Sequence, residues 1–263
     1  MLPLEARSWI SSQDRDVAKT AALHSTQGEV WRVTLDDGRC LVLKRASRAA
    51  IDRECWGLDV ARGIGSSPRV LARPAPELVV LSWHDGTSRV DGEVMRSAGV
   101  WLRTLHACEG AFEDPLPVWD AIGRRRDAWL DRAKDQLPGQ TRNKLRAAID
   151  PAVFSGLKRS ACHRDYTPTN WLWDGALTVI DFGQARPDVA LWDLVKLEAE
   201  TFHESPLLRA AFFEGYGPLD TRDEERLRQL VLLHALQTAA WGDAHHDAAF
   251  SSLGRQILDR RLS

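Results

Sequence analysis

No run of about 18 apolar residues, the length of a membrane-spanning helix, occurs in the 263 residues, so no span is expected. The opening MLPLEARSWISSQDRD lacks the basic start and long apolar core of a secretory signal, and a cytoplasmic location is the corresponding expectation. Cysteine is sparse. Cys40, Cys55, Cys108 and Cys162 stand far apart and form no CxxC pair, which argues against a zinc site or a disulfide framework and fits free thiols in a reducing compartment. Excess charge of either sign is missing too: the formal net charge is -2, which gives no reason to expect nucleic acid or an anionic membrane as partner. There is no internal repeat and no low-complexity segment. What remains is an ordinary globular composition, 44% hydrophobic and 27% charged, long enough for one large domain or two compact lobes.

The stretch from His163 to Gly183, HRDYTPTNWLWDGALTVIDFG, carries the chemistry. Asp165 and Asn170 lie five positions apart, and a second carboxylate, Asp181, follows an alternating apolar run. Moving a phosphoryl group requires a carboxylate within hydrogen-bond reach of the attacking hydroxyl, and oxygen ligands that hold Mg²⁺ against a triphosphate. Asp165 suits the first role; Asn170 and Asp181 suit the second. Trp171 to Trp173 and Leu177 to Ile180 read as two short strands around Asp174-Gly175, and such a hairpin would bring Asn170 and Asp181 to the same end.

These residues resemble the HxDxxxxN and DFG elements of the protein-kinase-like superfamily, a system from which the general template of phosphoryl-transfer chemistry is drawn. The chain is more similar to the aminoglycoside phosphotransferase family of small-molecule kinases. Thr167 stands where Ser/Thr protein kinases usually carry Lys, and only the nine residues from Gln184 to Trp192 separate Gly183 from Asp193, too few for a peptide-binding activation segment. Asp193, in LWDLVKLE, resembles a structural Asp of the small-molecule kinases. The resemblance gives His163 an ordering role in the catalytic loop. Arg164, with no activation-loop phosphate to answer, is assigned a structural ion pair.

The fold so implied is α+β and bilobal: a small antiparallel-sheet N-lobe over residues 1–86, ending in a hinge, and a larger, mainly helical C-lobe over 87–263. Residues 2–12 suit a short helix on the outside of the first lobe. Strands are expected in VAKTAALH, EVWRVTL and CLVLK, with turns at Gln27-Gly28 and Asp36-Asp37-Gly38. The first turn, HSTQGEV, holds a single glycine; Ser25, Thr26 and Gly28 are its candidate phosphate donors, although a lone glycine between strands is equally what a plain hairpin needs. Lys44 ends an apolar strand as in the VAIK element and would pair with the α and β phosphates. Glu54, on the helix expected in SRAAIDRECWGLDVARG, would hold it. A loop from Gly63 to Pro76, with a short strand near Arg69 to Ala72, precedes the strand LVVLSW, after which the backbone of Ser82, Trp83 and His84 would meet an adenine ring.

Helices are then expected around Met95 to Leu105, Val118 to Leu137, Thr141 to Ile149, Leu191 to Phe202, Leu207 to Tyr216, Asp223 to Trp241 and Asp247 to Arg261. His106 reads as structural. His245-His246 do not make a metal cluster, since adjacent imidazoles on a helix diverge. Trp241 is a candidate to stack on a substrate ring. Between Asp188 and Glu225 only Lys196, Arg209 and Arg222 are basic against ten acids, a skew compatible with a cationic or neutral hydroxylated acceptor.

The resemblance implies an ATP-dependent O-phosphotransferase, with GTP as the alternative donor and Mg²⁺ as cofactor. Its partner would be a hydroxylated small molecule, either an antibiotic or a biosynthetic intermediate, and the chain would be a monomer or homodimer. A nucleotide-binding pseudokinase that serves as an interaction module, or a metabolite kinase of choline or amino-acid kinase type, are the alternatives.

Overall fold

Alternation in EVWRVTL divides that strand into two faces: Trp31, Val33 and Leu35 are buried while the residues between them are half-buried. The computed structural model describes residues 2–25, 28–108 and 116–262. Its small lobe is a five-stranded antiparallel sheet of β1 (Val17–Leu23), β2 (Glu29–Leu35), β3 (Cys40–Arg45), β4 (Val70–Ala75) and β5 (Leu78–Ser82), in the order β1-β2-β3-β5-β4. Helix α1 (Leu4–Ser11) puts Ala6 and Ile10 against Trp31, Val33, Leu43 and Val80 on one face. Helix α2 (Arg48–Val60) covers the other face. It is capped by Ser47, whose hydroxyl accepts the Ala50 N–H at 3.3 Å. β5 is buried on both faces and joins the two cores: Val80 packs with α1, while Val79 and Leu81 belong to the large-lobe core with Ile51 and Leu58.

The large lobe is mainly helical. It contains α3 (Gly92–His106), α4 (Val118–Arg132), α5 (Gly139–Ala148), α6 (Val195–Ala199), α7 (Thr201–Glu204), α8 (Pro206–Tyr216), α9 (Thr221–Ala244) and α10 (Ala248–Leu262). Two ribbons are set into it, β6 (Ser160–Cys162) with β9 (Arg186–Asp188), and β7 (Trp171–Trp173) with β8 (Leu177–Val179). The helix expected from Leu191 to Phe202 is in fact a 3-10 helix (Ala190–Leu194) followed by α6 and α7, broken at Glu200, where ψ is -80°. Strand β4 runs through Pro74 to Ala75, longer than the sequence suggested. A proline is tolerated there because β4 is a sheet edge.

Two contacts fasten the small lobe to the β7/β8 ribbon. The Val179 N–H donates to the Ser66 carbonyl at 3.2 Å and the Thr178 hydroxyl to the Ser66 hydroxyl at 2.7 Å. After β5, Thr87 and Trp173 exchange backbone bonds of 3.1 and 3.0 Å.

Helices α3 and α8 approach until backbone meets backbone. A Cβ at Gly99 would stand 2.1 Å from the Phe212 carbonyl oxygen, and one at Gly215 2.0 Å from that of Arg96. Replacing glycine by alanine inside a helix gains about 1 kcal/mol of propensity, but overpacking costs about 1–3 kcal/mol or more, so the clash decides the sign. Gly99→Ala is therefore expected to lower unfolding stability by about 2 kcal/mol. Gly139→Ala, whose nearest neighbour is an arginine side-chain nitrogen at 3.8 Å, should be neutral or slightly stabilising. Urea unfolding of both variants checks this; an unchanged midpoint for Gly99→Ala would contradict the packing.

Candidate active site

The two ribbons frame one continuous stretch. β6 leads into the loop 163–170, β7 and β8 form the hairpin, and residues 180–185 return to β9, which pairs with β6. The Ile180 N–H donates to the Asn170 carbonyl at 3.0 Å, so Asn170 and Asp181 lie at the same end of the hairpin.

Asp193 pins the start of that loop. Its Oδ2 accepts the His163 N–H at 2.9 Å and its Oδ1 the Arg164 N–H at 2.6 Å. The His106 Nε2 donates to the same carboxylate at 3.1 Å, leaving Nδ1 to accept from the Tyr216 hydroxyl at 2.8 Å. These bonds hold Arg164 at φ 67°, a left-handed conformation a long side chain adopts only under constraint. The His163 Nε2 donates to the Ile180 carbonyl at 3.0 Å and its Nδ1 accepts the Asp165 N–H at 3.3 Å, tying the loop to the segment just before Asp181. Arg164 turns away into the protein, 3.4 Å from Asp188 and over the Trp192 ring at 4.3 Å. Burial pushes its guanidinium down to about 9. His106, Cys162 and Asp193 form the one metal-sized cluster among the described residues, but both Asp193 oxygens are spent on the loop.

Lys44, Glu54 and Asp181 converge. The Lys44 ammonium donates to Glu54 Oε2 at 2.5 Å and to Asp181 Oδ1 at 2.6 Å, and the Phe182 N–H donates to Glu54 Oε1 at 3.2 Å. Gly57 lets α2 lie against Phe182 and Ala185, which sets Glu54, one turn earlier, at this depth. Burial works against the charged ammonium of Lys44, but Glu54 and Asp181 outweigh it and hold it above its ordinary value. Burial raises the Glu54 carboxyl, and Lys44 offsets only part of that. At Asp181 burial also pushes upward, yet the adjoining ammonium wins and keeps the carboxyl below its usual range.

Asp165 and Asn170 are in contact: the Asn170 Nδ2 donates to the Asp165 carbonyl at 2.8 Å and lies 3.3 Å from Asp165 Oδ2. This use of the amide nitrogen leaves the Asn170 side-chain oxygen to act as a ligand. With the half-exposed Asp181 carboxylate it makes a set of hard oxygen donors, which fits Mg²⁺. A residue the sequence gave no reason to single out completes the group. Lys196 of α6 donates to Asp165 Oδ1 at 2.5 Å.

The remaining candidates lie at the edges. Gly28, at φ 148°, packs against the end of β3, where a Cβ would stand 2.2 Å from the Arg45 carbonyl, so the hairpin itself requires glycine. Ser25 precedes this turn, and Thr26 lies outside the described residues. At the end of β5 the Ser82 N–H is committed to the Arg69 carbonyl at 2.9 Å, and its hydroxyl accepts the Arg69 N–H and contacts His84 Nε2. The Trp83 indole donates to Asp85 at 2.8 Å. Trp241 stacks on His245 at 4.1 Å and packs edge-on against Phe250 at 5.4 Å, and it keeps 41% of its surface exposed. The acidic skew is not an open acidic surface. Glu198 and Glu224 pair with Arg209 of the same stretch, while Glu214, Asp223 and Glu225 pair with Arg96, Arg226 and Arg228 beyond it.

His234, on α9, is half-buried near Lys196 and Arg164. Burial holds its imidazole well below the ordinary value, the two cations add to this, and Asp165 opposes it. The unfolded chain takes up this proton below about pH 6.5 while the folded one does not, so the contribution to stability is present above that pH and lost as pH falls. Denaturation between pH 7 and 5 should show wild type losing stability more steeply than His234→Gln; parallel slopes would contradict a neutral His234.

The sequence model of the phosphotransferase enzyme family (APH) matches residues 20–230. No curated protein matches the sequence. Among solved structures, the chain resembles the GDP complex of aminoglycoside 2'-phosphotransferase-IIIa at 16% identity and a TM-score of 0.74, covering 100% of this chain and 99% of that one. It is similar to a putative fructosamine-3-kinase from Thermobifida fusca at 20% identity and a TM-score of 0.70, covering 99% of each chain. It also resembles macrolide 2'-phosphotransferase MphH from Brachybacterium faecium at 14% identity, a TM-score of 0.66 and 96% coverage of each. These likenesses agree with the bilobal kinase-like architecture, and the family match over most of the length establishes that the chain belongs to the phosphotransferase enzyme family of small-molecule kinases.

Proposed function

We propose that the chain transfers the γ-phosphoryl group of ATP, with GTP as the alternative donor, to a hydroxyl of a small molecule, either an antibiotic or a biosynthetic intermediate, in the cytoplasm. The observation that carries this reading is the meeting of the Lys44 ammonium, held by Glu54, with Asp181, in a site whose adjoining loop presents Asp165 beside Asn170. In the proposed division, residues 1–86 hold the nucleotide and 87–263 the acceptor. The Thr87–Trp173 bridge, which fixes the chain to the large lobe directly after Gly86, supports that boundary.

Asp165 orients the acceptor hydroxyl and takes its proton as the new oxygen–phosphorus bond forms and the bond between the γ-phosphorus and the bridging oxygen breaks, releasing the nucleoside diphosphate. Lys44 neutralises the α and β phosphates. Asn170 and Asp181 would hold Mg²⁺, which supplies neutralising charge on the phosphate oxygens when bound. With the Ser82 N–H already used, adenine recognition falls to the backbone of Trp83 and His84. Ser25, Thr26 and Gly28 are placed by sequence at the turn over the phosphates. A polycationic acceptor draws no support from the compensated acids, so the acceptor is described by its hydroxyl alone.

The test is a screen of hydroxylated antibiotics and metabolites, with ATP and GTP as donors, for a mass gain of one phosphate. On any acceptor so found, Asp165→Ala is expected to lower kcat by about 10²- to 10⁴-fold, the range for a lost general base. Nucleotide binding without turnover across the panel would favour an interaction module, and an Asp165→Ala variant with wild-type kcat would remove Asp165 from the mechanism.

A further inference from the structure

Resting on that reading, we infer that Lys196 is a second phosphate-binding cation, dedicated to the γ-phosphoryl group, and that it works from α6 because the catalytic loop has no cation of its own facing the reaction. Its Nζ lies 2.5 Å from Asp165 Oδ1, and the two side chains are 35% and 25% exposed, so the pair stands at the wall of the cleft rather than in the core. A pair left partly open to solvent is partly screened, and its position beside the proposed base gives the lysine a role that packing does not.

Electrostatics defines that role. A general base must sit within hydrogen-bond reach of a hydroxyl that attacks phosphorus, so the Asp165 carboxylate and the γ-phosphoryl oxygens share one small volume and repel each other. The loop offers nothing to offset this. Arg164 is turned away onto Asp188 and Trp192, and the Thr167 hydroxyl is engaged with that of Thr169 at 2.8 Å. Lys44 is held between Glu54 and Asp181.

Lys196 meets the need without blocking the base. It uses Oδ1 of Asp165; Oδ2 accepts the Asn170 amide N–H at 3.3 Å and keeps a second lone pair for the hydroxyl proton. Asp165 is its hydrogen-bond partner among the described residues, so one of three ammonium donors is spent and two remain for phosphoryl oxygens. The placement follows from the chain. Asp193 fixes the backbone of residues 163 and 164, and the turn running from the 3-10 helix Ala190–Leu194 into α6 carries Lys196, three residues on, to the Asp165 carboxylate.

The experiment compares binding of Mg·ADP and of a non-hydrolysable Mg·ATP analogue to wild type, Lys196→Met, Lys196→Arg and Lys44→Met by calorimetry, with no acceptor present. Removing a charge-assisted bond made only to the γ-phosphoryl group should weaken the Lys196→Met complex with the analogue about 10- to 100-fold while its ADP affinity stays within about twofold. Lys196→Arg should keep most of the difference, and Lys44→Met should weaken both nucleotides. If Lys196→Met changes the two affinities equally, or neither, Lys196 does not touch the γ-phosphoryl group and the inference falls. If wild type binds neither nucleotide, it is the phosphotransferase reading that fails.

Discussion

The ammonium group of Lys44 joins the two lobes chemically. It comes from β3, meets Glu54 from α2, and reaches across to Asp181 in the large lobe. A buried carboxylate such as Glu54 carries a desolvation penalty of several kcal/mol that only a well-placed partner offsets, so the register of β3 and the seating of α2 on Phe182 and Ala185 are held to this geometry. The same arrangement leaves the half-exposed Asp181 carboxylate facing the cleft.

Behind the catalytic loop a second carboxylate performs the complementary task. Asp193 is buried and spends both oxygens on the backbone of His163 and Arg164, with His106 and Tyr216 bracing it. A loop so fixed holds Asp165 in place, and in the proposed reaction such positioning would lower the barrier by sparing reorganisation. His163 extends the brace to the Asp181 side through the Ile180 carbonyl. Asp165 and Asp181, on irregular segments, and Asn170, in a 3-10 turn, are thereby tied into one hydrogen-bonded frame between the two ribbons.

Much of this could be read in the sequence because the deciding residues are close together in it. Asn170 and Asp181 flank one hairpin whose turn, Asp174-Gly175, is written in the chain, and Asp165 stands in the short loop just before it. Lys44 and Glu54 sit at the end of a strand and on the next helix, and the resemblance to the VAIK element, read together with the motif downstream, nominates them. The rest depended on tertiary contacts. Lys196 lies in LVKLE, which reads as plain helix, and nothing local shows that a break at Glu200 and the pinning of Asp193 bring it to Asp165. β6 and β9 are three residues each, too short for a period to show. The acidic run from Asp188 to Glu225 looked like a surface field because its arginine partners, such as Arg96 and Arg226, lie outside the run or across the fold. The stacking of Trp241 on His245 depends on the α9–α10 turn, which no local pattern shows.

The central claim is that Lys44, Glu54 and Asp181 form a metal-nucleotide site. Calorimetric titration of ATP with and without Mg²⁺ into wild type and Asp181→Asn tests it most directly. The account predicts much tighter binding with the metal in wild type and loss of that difference in the variant. Equal affinity with and without Mg²⁺ in both proteins would contradict it.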